Sequence, residues 1–433
     1  MTSGSEITYV RDAEAPDGAL PVAARAGDLV FVGGQMAVHP ITGIPAETLL
    51  SKGMPFHGSL IEKQLRYLYQ RLEDQLPQAD TSLKHIVRIS SYHAHNEDID
   101  MALRERRNWF DHNTPPPSTL VSVSALTARD ARVMIDLINV ASDAKRPIEG
   151  VKLTHQAPIS QVKQIGWAVF SQILKGGGLV FTRGATAHNE SGPVPEVLPD
   201  RPFPHAFDQV QFQLRHELNR LKGLLEDAGC SLGDVVRAEL HMTDMSDLAA
   251  VDEVWEEYFP VDPPARIIVP LLLPVLPMRI ETELIAIDPD GPFRKQTIHT
   301  DQAPTPLGPV PQAVKAGPYV FLSGQMASDY KSGLAPEAKV DQNFPFHSSS
   351  AKLQAAYILK NVEAICAAAG TTSANLVKRR IHHTDLSDIP RAEEVWRNKL
   401  TDRVPPTSII PTSGALPVPD CTIQYDLIGY APD

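Results

Sequence analysis

Apolar positions along the chain switch between strand and helix periods, and the switches mark out a unit that occurs three times. Ile7 to Arg11 and Leu29 to Val32 read as strands, and a Pro40-Ile-Thr-Gly43 turn follows the second. Leu60, Gln64, Leu65, Leu68 and Leu72 then fall at helical spacing and predict a helix from about Ser59 to Gln75. A strand is expected from His85 to His93 and a helix from about Ile99 to Phe110. The Pro-rich stretch Thr114 to Pro117 stops that helix and opens a strand pair within Thr119 to Val140. The pattern restarts near Lys152, with helices near Phe207 to Ala228 and Leu248 to Phe259, and last strands near Ile267 and over Ile280 to Ile287. It restarts again near Thr297. Polar and proline residues gather at Ser142 to Glu149 and at Asp288 to Arg294, the expected linkers, so the units are expected at 1–148, 149–293 and 294–433.

Individual residues keep the same register. Ala26 to Val38, Gly176 to His188 and Ala316 to Ser328 each place a Gly-bearing turn before a Val-Phe strand that ends in a second glycine, which suits a hairpin followed by close backbone approach. His241-Met-Thr-Asp244 returns 141 residues later as His382-His-Thr-Asp385, and Ala228-Gly229 returns as Ala369-Gly370 at the same shift. A shift of 149 relates Asp98 to Asp247, and with Asp388 these open equivalent helices. One such unit is a sheet with both helices on one face. Its other face must be buried against something, and three units in one chain can cover one another.

At 433 residues the chain is long enough for three domains with cores of their own. Forty basic against fifty-two acidic residues leave no basic stripe for nucleic acid. The most apolar run, Ile267 to Leu276, is broken by Pro270 and Pro274 and is too short to span a bilayer. The N-terminus has no basic region followed by an apolar one, so a cytoplasmic protein is expected. Cys230, Cys366 and Cys421 are scattered, which argues against a disulfide framework and a thiolate metal site.

Several segments carry a family pattern. The third unit reads His299-Thr-Asp-Gln-Ala-Pro, Gly308-Pro-Val-Pro-Gln-Ala-Val314, Ser323-Gly-Gln, Ala368-Ala-Gly370 and Ile423-Gln-Tyr-Asp426. The second supplies Phe170-Ser-Gln172, Pro264-Ala-Arg266 and Ile280-Glu-Thr-Glu283. Together they resemble the reactive intermediate deaminase family, also called Rid or YjgF. The resemblance implies an α+β, chorismate-mutase-like unit, a mixed sheet with two helices on one face. It also implies homotrimers whose sheets enclose a central barrel, with sites in the clefts between units. Here one chain carries all three sheets, so an intramolecular pseudo-threefold barrel is expected, with a homodimer of such chains left open.

The resemblance places the substrate-binding arginine at Arg266, whose planar guanidinium can hold a carboxylate through two parallel hydrogen bonds. The equivalent turns carry Ser118 and Thr407, so one cleft is expected to keep the cation. Glu283 matches the terminal glutamate of the pattern, with Asp136 and Asp426 as counterparts. An acid beside an arginine can polarise a water for attack on an imine carbon. Phe170, Ser171, Arg183 and Ser323 stand at other positions of the pattern and are expected to contact substrate. The second unit departs from the pattern with Arg183-Gly184-Ala185 in place of Ser-Gly-Gln, and the third with Val310-Pro311 in place of Tyr-Ser.

Pro55-Phe-His57 and Pro345-Phe-His347 precede the first helices of their units, with Pro202-Phe-Pro-His205 as a shifted counterpart. His57 and His347 could titrate near neutrality as bases or anion ligands. The alternative is a staple of the phenylalanine against the helix. His93, His95, His241, His382 and His383 gather near the end of the middle strand. Strand alternation separates His382 from His383, and no metal or other cofactor is expected. Two classes of function follow for a small-molecule ligand. One is a hydrolytic deaminase acting on an imine, enamine or related C–N bond of a small carboxylate-bearing metabolite, at the cleft with Arg266 and Glu283. The other is a non-catalytic metabolite-binding protein. A third reading, ring-opening hydrolysis of a cyclic amide, would use Ser350 and Lys352.

Overall fold

The computed structural model describes residues 6–54, 57–154, 162–165, 168–189, 192–195 and 209–432. In the first unit β1 is Thr8–Val10, β2 Ala23–Ala26, β3 Leu29–Gln35, α1 Leu60–Gln75, β4 Ile86–His93, α2 Ile99–Arg106, β5 Ser118–Ser122 and β6 Val133–Val140. The second unit holds β7 Glu149–Gly150, β8 Val162–Ile165, β9 Ala168–Ser171, β10 Ile173–Gly176, β11 Leu179–Thr182, β12 His188–Asn189 and β13 Gly192–Pro193. It continues with α3 Gln209–Asp227, β14 Val235–Met242, α4 Leu248–Tyr258, β15 Ala265–Pro270 and β16 Ile280–Ile287. The third has β17 Lys295–Ile298, β18 Ala313–Ala316, β19 Tyr319–Leu322, β20 Gln325–Met326, α5 Ser350–Ala368, β21 Leu376–His383, α6 Ile389–Leu400, β22 Thr407–Pro411 and β23 Ile423–Tyr430. Sheet orders are β1-β2-β3-β6-β4-β5, β7-β10-β11-β16-β14-β15 and β17-β18-β19-β23-β21-β22, with β20 also on β23. Only the last pair of each sheet is parallel.

The expected helices are present, with one difference: α2 ends at Arg106, four residues before Phe110. Ser59 caps α1 by accepting from Glu62 N, and Leu65, Leu68 and Leu72 are buried on its inner face. Gln64 on that face is fully buried and clamps the loop before β6, accepting from Arg132 N (2.8 Å) and donating to Asp130 O (2.9 Å). Gln213 and Gln354 repeat the device, accepting from Arg279 N (2.8 Å) and Thr422 N (2.9 Å). Buried amides satisfied at both ends fix where each closing strand begins.

Strand alternation divides each sheet between two cores. Val30 and Val32 of β3 join Leu65, Leu68 and Leu72 under the helices, while Leu29 and Phe31 face the other way. That second face is shared: Phe31 and Val87, Phe181 and Val236, and Phe321 and Val377, taken from the three units in turn, belong to one apolar cluster. Each unit thus buries its helix-free face against the other two.

The expected closed barrel is not found. Among the described residues the three large sheets remain separate from one another, beside two two-stranded ladders, β8-β9 and β12-β13. The outer strand of each unit meets a glycine segment of the next, which follows the second hairpin strand in the second and third units and lies within β3 in the first. Gly184 N donates to Ser118 O (3.4 Å) and Gly324 N to Arg266 O (3.0 Å). Gly33 and Gly34 lie against Thr407 and Ser408 so closely that a Cβ on Gly33 would sit 2.7 Å from Thr407 N. The seams therefore run first to second, second to third and third to first.

Candidate functional site

The carboxylates expected at the clefts lie instead between the helix-free faces, in a buried ionic network. Arg88, Arg237, Lys378 and Arg380 meet Asp136, Glu239, Glu283 and Asp426, four charges of each sign. Arg88 of the first unit bonds Glu239 (2.7 Å) and Glu283 of the second. Arg237 bonds Asp426 of the third (2.6 Å), and Lys378 bonds Asp136 of the first (2.8 Å). Arg380 donates to both oxygens of Glu239, at 2.7 and 2.6 Å. Burial alone would raise the carboxyls, yet Arg380 and Lys378 hold Asp136 below its ordinary value, and three arginines hold Glu239 well below. Thr119 and Ser408 add hydroxyl donors to Glu283 and Asp136 from the neighbouring units.

Arg266 and Glu283 do not share a site, which corrects the expected pairing. Across the ladders Arg266 aligns with Ala238 and Leu284, whereas Glu283 aligns with Glu239 and Ile267. Aligned residues point to one face and adjacent positions to opposite faces. Arg266 therefore faces α4, where its guanidinium lies 5.2 Å over the Trp255 ring and Nη2 donates to Asp252 Oδ1 (2.5 Å).

Around Arg266 the second-to-third seam opens into a cavity of about 110 Å³ whose polar wall is Asp252, Arg266, Ser323 and Gln424, with Leu248, Ile268, Leu307, Val310 and Tyr330 among the apolar lining. Ser323 Oγ accepts from Arg266 N (3.2 Å) and donates to Pro311 O (2.6 Å), so it fixes the backbone here. Among the described residues, Arg266 Nη1 and Gln424 Oε1 are both buried without a hydrogen-bond partner. An unmatched donor and an unmatched acceptor thus line one small apolar space.

The other seams also carry a guanidinium at this place, so the expectation of a single cation is corrected. In the third unit Arg379 lies 5.2 Å over Trp396, donates through Nε to Thr407 Oγ1 (3.0 Å) and pairs with Glu393 (2.7 Å). In the first, Arg106 donates through Nη1 and Nη2 to Ser118 Oγ (3.1 Å each). These arginines come from β21 and α2, not from the turn, so aligning the turns by sequence missed them.

Phe170, Ser171, Arg183 and Ser118 gather at the first-to-second seam. Ser171 N donates to Pro115 O (3.1 Å), and the Arg183 guanidinium lies 5.7 Å over the Phe170 ring while Nε donates to Gln172 Oε1 (2.6 Å). Glu281, aligned with His241 on the inner face, lies against Gly184 beside Thr119, and burial raises its carboxyl to about 7. Its counterparts are Gln424 in the third unit, aligned with His382, and Met134 in the first, aligned with Tyr92. The sequence signal for Glu281 was present in Ile280-Glu-Thr-Glu283, where the other glutamate was chosen.

His57 and His347 lie exposed in loops, away from the seams. Phe346 is 98% exposed, so it staples nothing. Pro55, Phe56 and Pro202 to His205 fall outside the described residues. Burial lowers His93 to about 3 and His382 and His383 to about 4, which leaves them neutral core side chains. Ser350 accepts from Gln354 (3.0 Å) and Lys352 pairs with Glu394 (2.6 Å) at the start of α5, so the two do not form a seam pair. Among the described residues no helix is long and apolar enough to cross a membrane.

Comparison with known proteins finds one family pattern three times along the chain. The family model described as Endoribonuclease L-PSP matches residues 12–141, 163–288 and 300–428. A RutC family protein of Pyrococcus horikoshii is 30% identical over 136 residues, 31% of this chain and 98% of its own length. Reactive Intermediate Deaminase A, chloroplastic, of Arabidopsis thaliana is 36% identical over 103 residues, 24% of this chain and 49% of its own length. The solved structure of RidA from the Antarctic bacterium Psychrobacter has 32% sequence identity and covers 31% of this chain and 98% of its own, with a TM-score of 0.26. The chain belongs to the Endoribonuclease L-PSP family, the Rid and RutC proteins among its relatives, and carries the family unit three times in one polypeptide.

Proposed function

We propose that the chain is a deaminase-type hydrolase that cleaves the C–N bond of an imine or enamine formed from a small carboxylate-bearing metabolite, in the seam containing Arg266. The observation that carries this reading is the unmatched Arg266 Nη1 beside the unmatched Gln424 Oε1 in one cavity. A substrate carboxylate would take Nη1, a charge-assisted bond in a dry setting, and Gln424 Oε1 would accept from the attacking water. Asp252, held by Arg266 through Oδ1, would receive the proton through Oδ2 as the water oxygen bonds to the imine carbon, and would return it to the nitrogen. Protonation of the nitrogen then releases ammonia and leaves the carbonyl. About 110 Å³ is less than the roughly 150 Å³ that accommodates benzene, so a 2-imino acid of two to four carbons suits the space. The deaminase name of the Arabidopsis thaliana relative supports the same reaction class.

Ammonia release from 2-imino acids generated in solution tests this reading. The intact chain should accelerate it and Arg266→Ala should not; equal rates would overturn the proposal. The second reading, metabolite binding without turnover, is favoured by one observation: the position held by Glu281 in the second unit is an amide, Gln424, at this seam. Saturable binding of pyruvate, the carbonyl counterpart of such an imine, with no ammonia above background would identify that case.

A further inference from the structure

We propose that Tyr330 is a specificity-determining residue of the Arg266 cavity, the wall that limits how long a hydrocarbon tail the bound acid can carry. The inference rests on the proposed carboxylate clamp at Arg266 and deepens it by naming what meets the other end of the ligand.

It starts from the backbone. Tyr330 has a φ of 52°, in the left-handed region that a bulky side chain rarely adopts. Among the described residues the other non-glycine positions of this kind are Asp80, Asp130, Asp262 and Asp420, of a type that tolerates it, and Thr401 at the end of α6. Two side chains hold the tyrosine there. Ser328, fully buried, accepts from Tyr330 N through Oγ (2.9 Å) and donates to Gly333 O (2.6 Å). Asp329 Oδ1 accepts from Lys331 N (2.9 Å) and Ser332 N (2.8 Å), which closes the turn. In the first unit Gly34-Gln-Met-Ala37 matches Gly324-Gln-Met-Ala327, and Pro40 stands at the step of Tyr330. A proline ring locks φ at about −65°, so the first unit cannot build this turn.

A strained bulky residue at a cavity points to a role there. Tyr330 lines the Arg266 cavity together with Ile268, Met326 and Val418, and it is the largest of the apolar side chains that do so. Its hydroxyl is held by the Met326 backbone beside Cys421 and Tyr357, so the cavity meets the ring. A ligand whose carboxylate takes Arg266 must lay its tail among these side chains, in a space of about 110 Å³. The class this selects is a 2-imino or 2-oxo acid with a short, unbranched tail.

Two 2-oxo acids serve as probes: 2-oxobutanoate with a short tail, and 4-methyl-2-oxopentanoate with a longer, branched one. Calorimetric titration of the full chain should give saturable binding of the first, about tenfold or more tighter than the second, the discrimination an ill-fitting methyl group gives in an apolar pocket. Tyr330→Gly suits the left-handed backbone and removes the ring, and it should abolish or reverse that preference. Tyr330→Phe keeps the ring and drops only the hydroxyl, so it should retain the preference. Melting temperatures establish which variants fold, and Tyr330→Asn, also at ease with this backbone, takes the place of the glycine variant where that one does not. An unmoved preference in the folded glycine or asparagine variant, a lost preference in Tyr330→Phe, or equal wild-type affinities would overturn the inference. Binding of 2-oxobutanoate that Arg266→Ala abolishes would in each of those cases leave the clamp standing, whereas wild-type binding of neither acid would overturn both.

Discussion

Arg266 and Glu283 sit on strands of one sheet with only β14 between them, and their side chains leave it by opposite faces. The two should therefore fail in different ways. Glu283→Gln leaves Arg88 short of a buried partner and should lower stability by about 3 kcal/mol, the usual scale for breaking a buried pair. Arg266→Ala should act on ligand binding and turnover. Denaturant titration of both variants beside ammonia release checks the separation.

Glu281 gives a pH dependence of definite sign. Burial raises its carboxyl from 4.5 to about 7, so between those values the native state keeps a proton that the unfolded chain has released. Stability contributed by the protonated form is complete below about 4.5 and is lost as pH rises through about 7. Glu281→Gln removes this dependence. Its stability relative to wild type should therefore grow by about 3 kcal/mol between pH 4.5 and pH 8, read from unfolding curves across that range.

Gly33 holds the third-to-first seam closed. A Cβ there would lie 2.7 Å from Thr407 N and 3.0 Å from Thr407 O, both backbone atoms that cannot swing aside. Gly33→Ala should destabilise by about 1–3 kcal/mol through overpacking. Gly414→Ala, with nothing within 4 Å, should be neutral or slightly stabilising. The difference in melting temperature between the two variants is the measurement.

Arg379→Ala removes the cation from the third-to-first seam and leaves Glu393 largely buried without its partner. A loss of about 3 kcal/mol is expected. Ammonia release should persist, because Arg379 lies outside the Arg266 cavity. An assay at a temperature where the variant stays folded decides it.

The repeat was legible in the sequence because the elements keep a fixed shift. At the Pro-rich turn the shift to the first unit is 148 rather than 149, so Ser118, Arg266 and Thr407 are matched by their Pro-Pro motif and by the ladder register, not by the fixed shift. Arg106 and Arg379 were not legible as equivalents of Arg266, since a guanidinium on a long stem can reach one point from a helix or from either of two strands, and sequence spacing carries no information about convergence. The acids failed for a related reason. Glu281 and Glu283 share a face, two residues apart, yet one reaches a seam and the other the ionic network. Only the packing of the neighbouring unit separates them. Gln64 read as one more helical position, whereas its amide is what fixes the start of β6.

Three seams inside one polypeptide have a genetic consequence. In an assembly of identical chains, any substitution at a seam is copied to all of them, so a change useful in one setting must be tolerated in the others. Here each codon acts once. Leu103 stands where the other units carry Asp252 and Glu393, and Gln424 where the second carries Glu281, so the three seams differ in chemistry where symmetry would have made them alike.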